Sequence, residues 1–144
     1  MHSYEIRFFN IPPSQIEYLL YEFEGYVSED AFDTQRWECK FGRNSVTLQF
    51  ATEKHFNPVA NDSSNSNLVR NLLGKNQFFG NIWQKWTNDD VDIDGVQVVF
   101  VADAGKQWDV ELGKFGSMTP RSRIRRLNEY LGYRPQRRFL NLIG

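Results

Sequence analysis

Two stretches of strict period-two alternation, residues 36–41 and 45–50, flank the turn-forming triplet Gly42-Arg43-Asn44. Successive side chains of a strand point to opposite faces. Trp37, Cys39 and Phe41 therefore share one side of the first run, with Arg36, Glu38 and Lys40 on the other. Val46, Leu48 and Phe50 line one side of the second. Short alternating runs joined by Gly and Asn read as an antiparallel hairpin, which ties the chain to a sheet-containing fold.

Strand and helix signals alternate around this hairpin. Residues 4–9 are β-rich and bounded by Asn10-Ile11-Pro12-Pro13. Ser14 followed by Glu17 makes a capping box. Ile16, Leu19, Leu20 and Phe23 then fall on one helical face, and Gly25 supplies the stop. Residues 57–67 form a polar loop. Residues 68–73 have a helical pattern ending at Gly74. Residues 76–86 make a second short helix, with Phe79, Ile82, Trp83 and Trp86 on one side and Gly80 within it. Residues 96–102 are nearly all apolar, as in a strand buried on both faces. After a turn at Ala104-Gly105, Trp108, Val110 and Leu112 alternate in a further strand. Thr119 and Pro120 supply an N-cap and a first-turn proline for a helix running to about Leu131. The expected class is α+β, a single domain over residues 1–144. The order β-α-β-β-α-β-β-α fits a ferredoxin-like core with an appended strand and an arginine-rich C-terminal helical segment, residues 119–144.

The first strand carries a resemblance. Ile6-Arg7-Phe8-Phe9-Asn10-Ile11 resembles the first RNA-contact motif of RNA-recognition-motif domains, and the second motif would fall in residues 45–50. Arg7 stands where that family has a stacking aromatic, and Thr47 stands where the second motif has one. Base stacking needs those rings, so the resemblance implies a similar topology more than RNA binding.

Composition enters through charge. Residues 119–144 hold seven arginines, no lysine and one acid, Glu129, or +6; residues 1–118 hold ten Lys/Arg against seventeen Asp/Glu, or −7. On a helical wheel Ile124, Leu127 and Leu131 make an apolar stripe, flanked by Arg121 and Arg125 on one side and Arg123 and Arg126 on the other. Arg134, Arg137 and Arg138 continue the basic run. A helix docked by that stripe would offer these arginines to nucleic-acid phosphates, which carry most sequence-independent affinity. Alternatively the arginines pair with acids of the body such as Asp89, Asp90, Asp92 and Asp94.

The other motifs are weaker. Asp90-Val91-Asp92-Ile93-Asp94-Gly95 matches the opening of a calcium loop, but Val101 occupies the position of the required bidentate Glu. Asp94-Gly95 also fits a two-residue hairpin turn. Glu38-Cys39-Lys40 has the E-x-K half of a metal nuclease site, with Asp33 the nearest acid upstream, and equally fits a solvated strand face. The histidines are His2 and His55, so a Cys39–His55 dyad depends on the fold. No phosphate loop, paired-cysteine metal site or nucleophile elbow is present, so no cofactor or metal is expected and the pattern points away from an enzyme. With 40% hydrophobic residues, one cysteine, no signal-peptide pattern and no apolar run longer than residues 98–102, the expectation is a cytoplasmic protein with no membrane partner.

Two readings remain. In one, the protein is a small nucleic-acid-binding factor that uses its arginine-rich helix. In the other, it is an inhibitor or immunity-type protein whose acidic, aromatic surface (Asp89, Asp90, Asp92, Trp83, Trp86) blocks a basic partner such as a nuclease.

Overall fold

The computed structural model describes residues 1–32, 34, 36–53, 66–74, 76–102, 105–115 and 123–127. The hairpin forms as its alternation dictates. β2 (Trp37–Phe41) and β3 (Ser45–Thr52) pair antiparallel with Trp37 opposite Phe50 and Phe41 opposite Val46. β1 (His2–Phe9) pairs with β3 on one side and with β4 (Gln97–Val101) on the other. β5 (Gln107–Val110) and a short β6 (Ile124–Arg126) extend the sheet beyond β4. The result is one six-stranded antiparallel sheet in the order β2-β3-β1-β4-β5-β6, in an α+β fold.

α1 (Ile16–Ser28) joins β1 to β2, and α2 (Ser66–Leu73) and α3 (Phe78–Asn88) lie between β3 and β4. Two helices thus stand where the periodicity placed two short ones, and Gly80 is buried inside α3 without interrupting it. α1 and α3 cover the same sheet face. Phe8 of β1 meets Phe79 and Trp86 of α3 with ring centroids 6.5 and 6.3 Å apart, and Phe23 of α1 meets Phe50 of β3 at 5.6 Å. The core between them is aromatic, with Phe8, Phe23, Phe32, Phe78, Phe79, Phe100, Phe115 and Trp86 all fully buried.

Local chemistry corrects several expectations. Ser14 does not cap α1. Pro13–Gln15 form a 3-10 turn set by Pro12 and Pro13, and no side chain bonds the N-terminus. The helix also runs through Gly25, whose position is exposed and open around the missing Cβ. It ends instead at Asp30, with a left-handed φ of 60°, while Asp30 and Ala31 N–H donate to the Val27 and Tyr26 carbonyls at 3.0 and 2.9 Å. α3 ends the same way at Asp90, φ 58°, with Asp90 and Val91 N–H on the Thr87 and Trp86 carbonyls. Both are Schellman closures built on Asp where Gly is usual. Asp94-Gly95 lie in a 3-10 turn, not in a hairpin. Residues 54–65, most of the polar loop, lie outside the described residues.

The largest correction concerns residues 124–126, which form a strand and not part of a helix. Ile124 sits opposite Val110, Arg125 opposite Asp109 and Arg126 opposite Trp108. β5 offers an unpaired edge, and its hydrogen bonds outweigh the weak helical preference of a three-residue stripe. Among the described residues no helix is long and apolar enough to cross a membrane.

Candidate binding surfaces

The sheet's second face carries no helix among the described residues, and the strand register lays rows of mostly polar side chains across it, interrupted on β4 by Val101 and the buried Val99. One row runs Lys40, Thr47, Arg7, Val99, Asp109, Arg125 through all six strands. The next runs Glu38, Gln49, Glu5, Val101, Gln107. Arg7 and Thr47 thus face each other on the bare side, where RNA-recognition motifs place their rings. Arg7 turns inward on Glu5 (2.7 Å), and Gln49 donates to the other Glu5 oxygen at 2.8 Å. Ser3, Glu5, Arg36, Glu38 and Gln49 border an open depression of about 730 Å³ at this end.

The basic segment is largely spent within the fold where it is described. Arg123 is only 5% exposed; its guanidinium donates to the Leu73 carbonyl at 2.7 Å and lies 4.9 Å over the Phe115 ring. It thereby closes the C-terminal end of α2, where a cation is favoured. Burial lowers its pKa, and its Nε has no acceptor. Arg125 is exposed but pairs with Asp109 at 2.9 Å and Glu111 at 3.6 Å. Burial pushes the Asp109 carboxyl up, against the downward pull of Arg125. Arg125 does meet acids, but at Asp109 and Glu111, the outward positions beside Trp108 and Val110. Arg126 lies in β6, and Arg121, Arg134, Arg137 and Arg138 lie outside the described residues.

The helical layer is different. No Lys or Arg occurs between Arg7 and Arg36, a segment with six acids, and none between Lys85 and Lys106, a segment with five. α1 and α3 run antiparallel: Gln15 donates to Asp89 at 3.0 Å, Lys85 lies 5.4 Å over the Tyr18 ring, and Asn81 donates to Glu22 at 2.7 Å. This joins the two acidic segments on one surface. Glu17, Tyr21 and Glu24 project outward from α1, Tyr21 with 75% of its surface exposed. Asp89, Asp90, Asp92 and Asp94 are exposed beside them. Gln15 and then Lys85 hold the Asp89 carboxyl below its usual value. Burial, reinforced by Glu22, pushes Tyr18 and Tyr26 up to about 12.

The aromatic half of that expected surface needs correcting. Trp86 is fully buried, edge-on to Phe8, because α3 turns that side to the sheet. Trp83 is half-buried at the margin of the core. The exposed aromatic is Tyr21, and its helical spacing with Glu17 and Glu24 was the available signal. Glu38 and Lys40 are exposed on β2, while Asp33 and His55 lie outside the described residues. Burial raises the Cys39 thiol pKa, which disfavours a thiolate nucleophile. Among the described residues no three His, Cys, Asp or Glu side chains converge as metal ligands. No protein family, curated protein or solved structure matches the chain.

Proposed function

We propose that this is a non-enzymatic binding protein whose acidic helical layer docks onto a basic protein surface, in the manner of an inhibitor that takes the place of a polyanion. The observation that carries this reading is the pair of strained aspartates. Asp30 and Asp90 occupy left-handed backbone at helix C-termini, where Gly is easier and a negative charge opposes the helix dipole. Retaining acid there costs stability and adds charge to two segments that hold no Lys or Arg, on a layer where Lys85 is already paired with Asp89. Acidic surfaces steer and hold basic partners, and Tyr21 supplies the kind of rigid amphipathic contact that anchors such interfaces. The split β1-α1-β2 unit, with β3 between its strands and β4 beyond β1, supports a ferredoxin-like core carrying the layer.

The phosphate-binding alternative draws less support, because Arg123 and Arg125 are engaged inside the fold. The test uses Asp30→Gly plus Asp90→Gly. Each change is expected to stabilise by about 0.5–1 kcal/mol. The double variant should nevertheless retain less of the partner that the wild type captures from lysate, and moderate salt should release that partner. Capture of a basic protein that survives nuclease treatment and is weakened by the variant is the expected result. Retention of nuclease-sensitive nucleic acid, or capture unaffected by the variant, overturns the reading.

A further inference from the structure

Among the described residues β2 is the outer strand at one end of the sheet. The Gly42 N–H donates to the Ser45 carbonyl at 2.9 Å. Hydrogen-bonded and non-bonded pairs alternate along an antiparallel ladder, so Gly42, Lys40 and Glu38 direct their backbone groups to β3. Trp37, Cys39 and Phe41 therefore direct theirs away from β3, toward the edge. Phe41 is 63% exposed, whereas Trp37 on the same side leans on Phe23 at 5.1 Å.

We propose that this edge pairs with the same edge of a second copy of the chain, antiparallel about a two-fold axis through Cys39. The register follows from charge. Hydrogen bonding by the outward groups permits two-fold centres at Glu38, Cys39 or Lys40. A centre at Glu38 sets Glu38 against itself, and a centre at Lys40 sets Lys40 against itself; like charges directly opposite are destabilising. The centre at Cys39 sets each Glu38 opposite Lys40 of the second copy, twice, on the bare face of the sheet. On the helical face it sets each exposed Phe41 opposite Trp37 of the second copy, giving an aromatic cross-strand pair. A lysine usually guards an edge against such pairing. Here a glutamate two residues away makes the guard self-complementary, and no proline interrupts the strand. The sheet then runs unbroken through both copies with an isologous interface. The edge meets the acidic layer where the Trp37 Nε1–H donates to Glu24 at 3.1 Å, but Glu38 and Lys40 lie on the opposite face of the sheet, so charge changes there test this proposal apart from the other.

Sedimentation equilibrium on the full chain should show a concentration-dependent species of twice the 17.0 kDa chain mass. Glu38→Lys and Lys40→Glu should each weaken association about tenfold, since each sets two like-charged pairs in place of two opposite ones. The double swap re-creates the complementary pairs and should return to within about threefold of wild type. Both side chains are exposed, so thermal melts of all three variants should match the wild type at dilutions where the wild type is monomeric. A short bis-maleimide should join Cys39 to Cys39 of the second copy in the wild type and in the swap, and markedly less in the single variants. A chain that stays monomeric at its highest attainable concentration overturns the proposal, as does a dimer indifferent to both single charge changes.

Discussion

The two faces of this sheet are cut from the same strands by alternate residues, yet they are held by different forces. The covered face is packed rings: Phe23 alone has Phe32, Trp37, Phe50 and Phe78 within 5.1–5.6 Å of its centroid. The bare face is a lattice of ion pairs and amide contacts, Arg7–Glu5–Gln49 at one end and Arg125–Asp109 at the other. Arg123 and Arg125 mark the contrast at a distance of two residues. One has exchanged water for a carbonyl and a ring; the other remains mostly hydrated beside two carboxylates. A run of arginines is therefore not one chemical object. Each guanidinium takes its role from what the fold brings to it.

The contrast breaks if the covered face proves cheap to disturb. Phe23→Ala should cost about 3–5 kcal/mol, because the vacated volume is walled by rings that cannot all relax. Denaturant unfolding measures it, and a loss below about 1 kcal/mol would show that the aromatic cluster is loosely packed.

The paired arginines sharpen the comparison. Arg123→Ala removes a charge-assisted bond and a cation–π contact from a buried site and should cost about 2 kcal/mol. Arg125→Ala should cost under about 1 kcal/mol near neutral pH. The sign with pH is fixed by Asp109. Its folded pKa is already raised, and losing Arg125 raises it further, so the deficit of this variant is largest where Asp109 is ionised. The deficit should close in acid, where Asp109 is protonated in both proteins. Unfolding curves from neutral to acidic pH check both points, and equal costs at neutral pH would erase the distinction between the two arginines.

A further small effect lies in the helical layer. Tyr18 and Tyr26 have folded pKa values near 12 against an ordinary value of 10.0. Stability from these phenols is present below about pH 10 and is lost as pH rises toward 12. Allowing for solvent screening of these half-exposed rings, the loss is on the order of 1 kcal/mol. Tyr18→Phe plus Tyr26→Phe should flatten the melting temperature over that window, with phenolate absorbance following the titration. An unchanged alkaline limb would mean that burial, with Glu22 beside it, does not hold these phenols protonated.

What the sequence made legible was whatever depends on near neighbours. Alternation identified the β2–β3 hairpin and the apolar β4, and the i, i+3, i+4, i+7 spacing placed Leu19 and Phe23 on the buried face of α1. Local chemistry failed where two signals competed. Pro12-Pro13 imposed a 3-10 entry that displaced the Ser14 cap, and the helix ran on through Gly25 to the closure at Asp30. The fate of the arginines was not legible, since Arg123 is settled by Leu73, fifty residues earlier, and β6 by an edge that β5 left open. Trp86 shows the same limit: its apolar spacing was plain, but whether that side met solvent or sheet depended on the placement of α3.

The central position of β1 bears on how the chain is made. The first of the six strands to leave the ribosome is flanked in the finished sheet by β3 and β4, the latter completed only at Val101. Until then one or both margins of β1 lack a permanent neighbour, and the phenylalanines on either side of it lack a closed interior. Up to Val101, therefore, the emerging chain carries a β1 margin without its final neighbour, which favours concerted collapse over stepwise growth.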